Sequence, residues 1–177
     1  MQELSQTDQL LGEALAYLRD SWGEIMPDSC MICGSGWGPL ADDLPDTQSL
    51  PYDQIPGLSA TTVAGHNGQL HLCRIGDGHT LIFQGRRHFY EGDGWGPIRF
   101  PILLAHKLGS KNLLLTNAAG GIRSSFEVGD MMVLSDHLNF MGSNPLIGPV
   151  TNQEMPRFPD QTEVYDPALR NLLVQSG

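Results

Sequence analysis

Basic residues are scarce. Ten Lys and Arg stand against 20 Asp and Glu, a formal net charge of −10, whereas a protein that binds nucleic acid needs a cationic face to displace counterions from the phosphates. Nucleic acid is therefore excluded as a main partner. Long apolar runs are also missing: no stretch approaches the ~20 consecutive apolar residues of a membrane-spanning helix. Met1 to Trp22 carries Leu10, Leu11, Leu15 and Leu18 at helical spacing among polar residues, without a basic leading segment. It reads as an amphipathic surface helix and not as a signal peptide. The expectation is a soluble, cytoplasmic protein with no membrane partner.

Cysteine is sparse too. Cys30, Cys33 and Cys73 are the three in the sequence; an odd number cannot all pair, and nothing marks the chain as secreted, so reduced thiols are expected. Cys30 and Cys33 form a C-x-x-C, the spacing of redox and zinc motifs. They lie, however, in the apolar run Ser29-Cys30-Met31-Ile32-Cys33, which reads as a strand, and residues three apart on a strand point to opposite faces. Buried structural cysteines and no metal are the expected outcome. Internal repeats and low-complexity tracts are absent as well, which leaves out solenoids and arrays.

What is present fits one α/β domain. With 177 residues, 40% of them hydrophobic, the chain has the length of an ordinary single domain with one core. Met31–Cys33 ends in Gly34-Ser35-Gly36-Trp37-Gly38, the pattern of a buried strand that runs into a tight loop and a short helix. A proline-rich connection spans Leu44 to Pro56. Gln69–Arg74 and Thr80–Gln84 read as two strands of a hairpin about a turn at Gly76-Asp77-Gly78. Pro97–Leu108 has helical periodicity. Lys111–Thr116 is an apolar run of strand length closed by Asn117-Ala118-Ala119-Gly120-Gly121, so helix, strand and glycine loop repeat the first arrangement. Met131–Leu134 is a further short apolar run, Asn144–Pro159 an extended loop, and Asp166-Pro167 a cap for a last helix through Leu169–Val174. The fold class expected is α/β, a single domain with a mixed central sheet flanked by helices.

The groups that could carry chemistry gather around an anion. Gly34-Ser35-Gly36, after a strand, offers backbone N–H groups and a hydroxyl where an α/β sheet opens its ligand crevice, which suits a phosphate. It lacks the Lys-Ser/Thr ending of a Walker loop and the spacing of the dinucleotide fingerprint, and a strand-to-helix turn that needs glycine would look the same. Gln84 to Gly92 is more informative. It sets Arg86, Arg87, His88, Tyr90 and Glu91 just past a strand end; guanidinium suits bidentate contact with phosphate oxygens, and a carboxylate three residues beyond a histidine can hold the ring in one state. A solvated hairpin end with paired charges is the alternative. Gly65-His66-Asn67-Gly68 places a titratable ring between glycines in a loop that could close over a ligand, or simply on the surface. Asn117 to Gly121 has side chains small enough for a flat ligand to reach the backbone, although close helix packing would explain the same residues.

Taken together and in this order, these motifs resemble the trimeric purine nucleoside phosphorylases. The resemblance rests on Gly34-Ser35-Gly36, Gly65-His66, Gly85-Arg86 with His88, Tyr90-Glu91-Gly92 and Asn117-Ala118-Ala119-Gly120-Gly121. Phe126-Glu127-Val128-Gly129-Asp130, Asp136-His137-Leu138-Asn139, Asn144-Pro145-Leu146 and Arg157-Phe158-Pro159 continue it. It implies a phosphate site made of Ser35, His66, Arg86, His88 and the Ala118 backbone, with His88 supported through Glu91. His88, Glu91 and His66 would form the catalytic group. Tyr90 would lie against the ribose, Asn117, Ala118, Ala119 and Gly120 would line the base pocket, and Phe158 would reach a neighbouring subunit's site in a homotrimer. The implied reaction is phosphate-dependent cleavage of purine (2′-deoxy)ribonucleosides to free base and (deoxy)ribose 1-phosphate, with inorganic phosphate as co-substrate and no cofactor.

Three positions depart from the family pattern: Arg87 for an apolar residue, Ala64 for proline, and Trp37 for a smaller aliphatic. Family members continue past the equivalent of Gly177, so residues 1–177 are expected to form a C-terminally incomplete phosphorylase domain. The rival readings are the methylthioadenosine phosphorylase branch of the same superfamily and a non-catalytic phosphate-binding or assembly module. His88-Phe89-Tyr90-Glu91-Gly92 and Ala118-Ala119 favour the purine nucleoside branch.

Overall fold

A computed structural model describes residues 2–58, 68–148 and 156–177. These divide into two compact units, Met1–Ala119 and Gly120–Gly177. The first is built on a five-stranded mixed sheet in the order β2-β3-β4-β1-β5. The strands are β1 (Ser29–Cys33), β2 (Gln48–Pro51), β3 (Gln69–Ile75), β4 (Gly78–Gln84) and β5 (Asn112–Leu115). β3 and β4 pair antiparallel about the expected tight turn, with Ile75 opposite Gly78. β1 lies between β4 and β5 and is parallel to both. The strand expected before the first glycine loop is therefore interior, and the one expected before Asn117 is at an edge.

Side-chain alternation divides the core between the two faces of the sheet. Cys30, Ile32, Leu70, Leu72, Leu81 and Phe83 point to one face, where helix α1 (Gln2–Trp22) packs through Leu11, Ala14 and Leu18 and helix α2 (Gly96–Lys107) through Phe100, Leu104 and Ala105. Both helices match the periodicity read from the sequence, because the apolar positions recur every three to four residues and make one stripe. Met31, Cys33, Cys73 and Ile82 point to the other face, which is covered by Ala41 and Leu40 of the 3₁₀ segment Gly38–Asp43 and by Trp37 and Leu44. The proline-rich connection contains more order than expected. Its residues Gln48–Pro51 form β2, paired antiparallel with β3, with Pro51 at the last position of an outer strand, where a missing N–H is tolerated.

The C-x-x-C is settled by this alternation. Cys30 lies in the core under the helices and Cys33 in the core on the opposite face, and all three cysteines are free and buried. Burial, reinforced by the proximity of Cys33, pushes the Cys30 thiol up to about 12, and burial also raises Cys33 and Cys73. We therefore expect an aromatic disulfide reagent at pH 8 to titrate the native thiols at least ~100-fold more slowly than the three released by denaturant, because the thiolate is the reactive form. One fast-reacting native thiol would contradict the packing.

In the second unit, α3 (Pro167–Ser176) starts as expected: the Asp166 carboxylate accepts the Leu169 N–H at 2.9 Å and Pro167 occupies the first turn. The apolar run Met131–Leu134 forms no strand and is exposed. The Tyr165 hydroxyl and His137 Nδ1 share a hydrogen bond of 3.1 Å, and Arg157 donates to the carbonyls of Leu146 and Gly148 while its guanidinium lies over the Phe158 ring.

Candidate functional site

Three adjacent parallel strands, β4, β1 and β5, discharge their following loops at the same end of the sheet. The carboxyl ends of parallel strands are where open α/β sheets bind ligands. The segment after β1 carries Ser35, the one after β4 carries Arg86, His88, Tyr90 and Glu91, and the one after β5 carries Asn117, Ala118 and Ala119. The segments that carry these residues thus leave the same end of the sheet in one unit. Gly120 and Phe158 fall in the second unit, and His66 lies outside the described residues.

The first loop is a tight turn. The Trp37 N–H donates to the Gly34 carbonyl at 3.2 Å, with Ser35 and Gly36 at its centre and Gly36 at φ 89°, a conformation that glycine adopts without strain. Ser35 is exposed. The Gly34 N–H, one of the donors expected to face an anion, is instead given to Thr116 Oγ1 at 2.9 Å. The amides of Ser35 and Gly36 take no part in the turn's own hydrogen bond.

The second loop separates the two arginines. Arg86 is half-buried and its guanidinium donates to the Thr116 carbonyl at 2.5 Å. Burial lowers its pKa while Cys33 and Tyr90 oppose that shift, and arginine starts so high that it remains a cation at neutral pH. Arg87 is paired: its Nε lies 3.2 Å from Glu91 Oε2, and its terminal nitrogen contacts Asp93. Of the two guanidiniums in the motif, Arg86 is the one held beside the β5 loop, and Arg87 matches the paired-charge alternative. Glu91 also accepts the His88 backbone N–H at 2.6 Å, closing the 3₁₀ turn Phe89–Glu91 as an N-terminal cap does. The His88 ring stacks on Tyr90 with centroids 5.0 Å apart and 12° between planes, and Tyr90 is 77% exposed. A flat, solvent-facing aromatic shelf near a half-buried cation has the shape and charge to hold a sugar against an anion.

The third loop is exposed from Asn117 to Ala119, and Asn117 Nδ2 donates to the Ala118 carbonyl at 3.2 Å.

Several supporting residues escaped the sequence reading. The Tyr52 hydroxyl, buried, donates to the Gly85 carbonyl at 2.9 Å and so fixes the turn that launches Arg86. The His71 ring is buried and shares hydrogen bonds with Ser49 Oγ at 2.7 Å and Gln84 Oε1 at 3.0 Å, while Gln84 Nε2 donates to the Gly38 carbonyl at 2.7 Å. Each of these groups bonds across a sequence gap. The available signal was position: Gln84 and Thr116 are polar residues that end apolar strands immediately before the two glycine-rich motifs.

The family model described as the phosphorylase superfamily matches residues 29–177. The chain belongs to that superfamily. Among curated relatives, purine nucleoside phosphorylase 1 of Geobacillus stearothermophilus is 42% identical over 160 residues, covering 90% of this chain and 58% of its own length. Isoform 2 of the purine nucleoside phosphorylase of Schistosoma mansoni, solved in complex with cytosine and ribose-1-phosphate, superposes with a TM-score of 0.85 at 38% identity over 94% of this chain and 59% of its own. The Schistosoma mansoni purine nucleoside phosphorylase solved with inosine gives a TM-score of 0.85 at 35% identity, covering 94% and 59%. The chain therefore has the superfamily's α/β fold and spans somewhat more than half the length of these relatives.

Proposed function

We propose that this protein is a purine nucleoside phosphorylase, cleaving purine nucleosides with inorganic phosphate to free base and pentose 1-phosphate. The observation that carries the reading is the meeting of the Ser35 turn, the Arg86 guanidinium and the Thr116–Ala119 segment at the ends of three neighbouring strands. Relatives about 40% identical that bear that name, and neighbours that hold ribose-1-phosphate and inosine, support it.

The chemistry asks for what these residues offer. Breaking the bond from C1′ to the purine nitrogen leaves the bonding electrons on the base and positive charge on the sugar. A phosphate dianion held beneath C1′ stabilises that charge and then closes the C1′–O bond, while a proton or hydrogen bond stabilises the departing purine. In this reading Arg86, Ser35, His66 and the Ala118 amide hold phosphate, His88 is kept in place by Glu91, and Tyr90 lies along the ribose. Asn117 to Gly120 receive the base. Phe158, 87% exposed with Arg157 over its ring, completes a neighbouring subunit's pocket in a homotrimer. Among the described residues no group of His, Cys, Asp or Glu is arranged to hold a metal ion, and none of these steps calls for one.

The test is phosphate dependence. Hypoxanthine is expected from inosine only when phosphate is supplied, together with an equal amount of ribose 1-phosphate; release at the same rate without phosphate would indicate a hydrolase. Running inosine, guanosine, adenosine and methylthioadenosine side by side separates the two branches of the superfamily. Phosphate binding without release from any of them would leave the binding-module reading.

A further inference from the structure

Thr116 joins two of the loops that the phosphorolytic reading needs. Its N–H donates to the Ile32 carbonyl at 3.2 Å and extends the pairing of β1 with β5 by one residue. Its Oγ1 accepts the Gly34 N–H at 2.9 Å, and its carbonyl accepts the Arg86 guanidinium at 2.5 Å. The backbones are in direct contact as well, since a Cβ on Gly34 would stand 2.3 Å from the Thr116 carbonyl oxygen. Any residue but proline at 116 would retain the two bonds made by its main chain. The hydroxyl contact is what the threonine side chain alone supplies, and it fixes the residue from which the Ser35 turn begins.

We propose that Thr116 is a positioning residue for the phosphate site. Its hydroxyl holds the Gly34–Trp37 turn against the end of β5, and its carbonyl holds Arg86 beside the same strand end. The Ser35 loop and the guanidinium are thereby set for one anion before it arrives. A loop that must be ordered by its ligand binds it more weakly in proportion to the time spent in other conformations, so affinity falls when the tether is cut. Thr116 touches no reacting atom in this scheme and acts through Gly34 and Arg86. The inference rests on the phosphorolytic reading, because only an anion at these loops gives the tether a consequence beyond stability.

Calorimetric titration of the 177-residue chain with inorganic phosphate, with thermal unfolding recorded for each variant, tests it. Thr116→Val keeps the shape and removes the acceptor, and about a 10-fold weaker phosphate affinity is expected. Thr116→Ser keeps the hydroxyl and should bind within about 2-fold of wild type. If Thr116→Val does not fold, Thr116→Cys, whose sulfur is a weaker acceptor of similar size, takes its place with a loss of about 3-fold. A lowered unfolding midpoint with unchanged phosphate affinity would overturn the proposal and leave Thr116 a structural residue. So would a serine variant as weak as valine, since the hydroxyl would then not be the operative group. Wild type that fails to bind phosphate at all would instead bring down the phosphorolytic reading, and this inference with it.

Discussion

Replacing Arg86 with alanine is expected to weaken inorganic phosphate binding by about 100-fold, the equivalent of ~2.7 kcal/mol, while the folded state loses little. Charge-assisted hydrogen bonds from a guanidinium to phosphate contribute ~1.5–3 kcal/mol, and half-burial strengthens them by excluding water from the pair. The contact that Arg86 makes to the Thr116 carbonyl leaves other N–H groups of the fork for an anion. Arg86→Lys is expected to recover only part of the affinity, because an ammonium cannot grip two oxygens in one plane. The neighbouring cation is the control. Arg87 already faces Glu91 and Asp93, so Arg87→Ala should change phosphate affinity by no more than about 3-fold. Equal losses at the two positions would mean that the cationic character of the whole loop, and not the placement of one guanidinium, holds the anion.

That distinction between Arg86 and Arg87 shows where sequence reading stops. Both stand in the same motif, and only tertiary structure tells which one meets β5. The elements that were legible are the ones whose signals are local. The β3–β4 hairpin has its strands on either side of a two-residue turn, and α1 and α2 each carry an apolar stripe repeated every three to four residues. β2 was not legible: four residues inside a proline-rich connection become a strand because β3 offers them a partner. The same holds for the site. The glycine-rich motifs were visible because a chain that turns sharply at a strand end needs small residues there. Thr116, Tyr52 and His71 were not, because each acts through a neighbour that the chain brings back from a distance. Gly34 and Thr116 are 82 residues apart, and no periodicity links them. Met131–Leu134 shows the converse, an apolar run of strand length that forms no strand.

The substitution expected to do most damage to the fold is also the smallest. Gly34→Ala adds one methyl group at a position where its carbon would lie 2.3 Å from the Thr116 carbonyl oxygen and 2.8 Å from Asn117 Cα. Both obstacles are backbone, so no side chain can swing aside to make room. Relief requires the ends of β1 and β5 to separate, which breaks the bond from Gly34 N–H to Thr116 Oγ1 and strains the one from Thr116 N–H to Ile32. Overpacking of this kind costs ~1–3 kcal/mol and each lost buried hydrogen bond about another 1. A destabilisation of about 3 kcal/mol is expected, lowering the unfolding midpoint by roughly 10 °C for a chain of this size. Phosphate binding should fall with it even at temperatures where the variant is folded, because the Ser35 turn starts from the displaced residue. Gly12→Ala supplies the comparison: it lies within α1 with nothing within 4 Å of the added carbon, and alanine there should stabilise by up to ~1 kcal/mol through helix propensity. If Gly34→Ala unfolds no earlier than wild type, the two strand ends are not in contact. The loops proposed to hold phosphate would then lose the shared anchor on which their convergence depends.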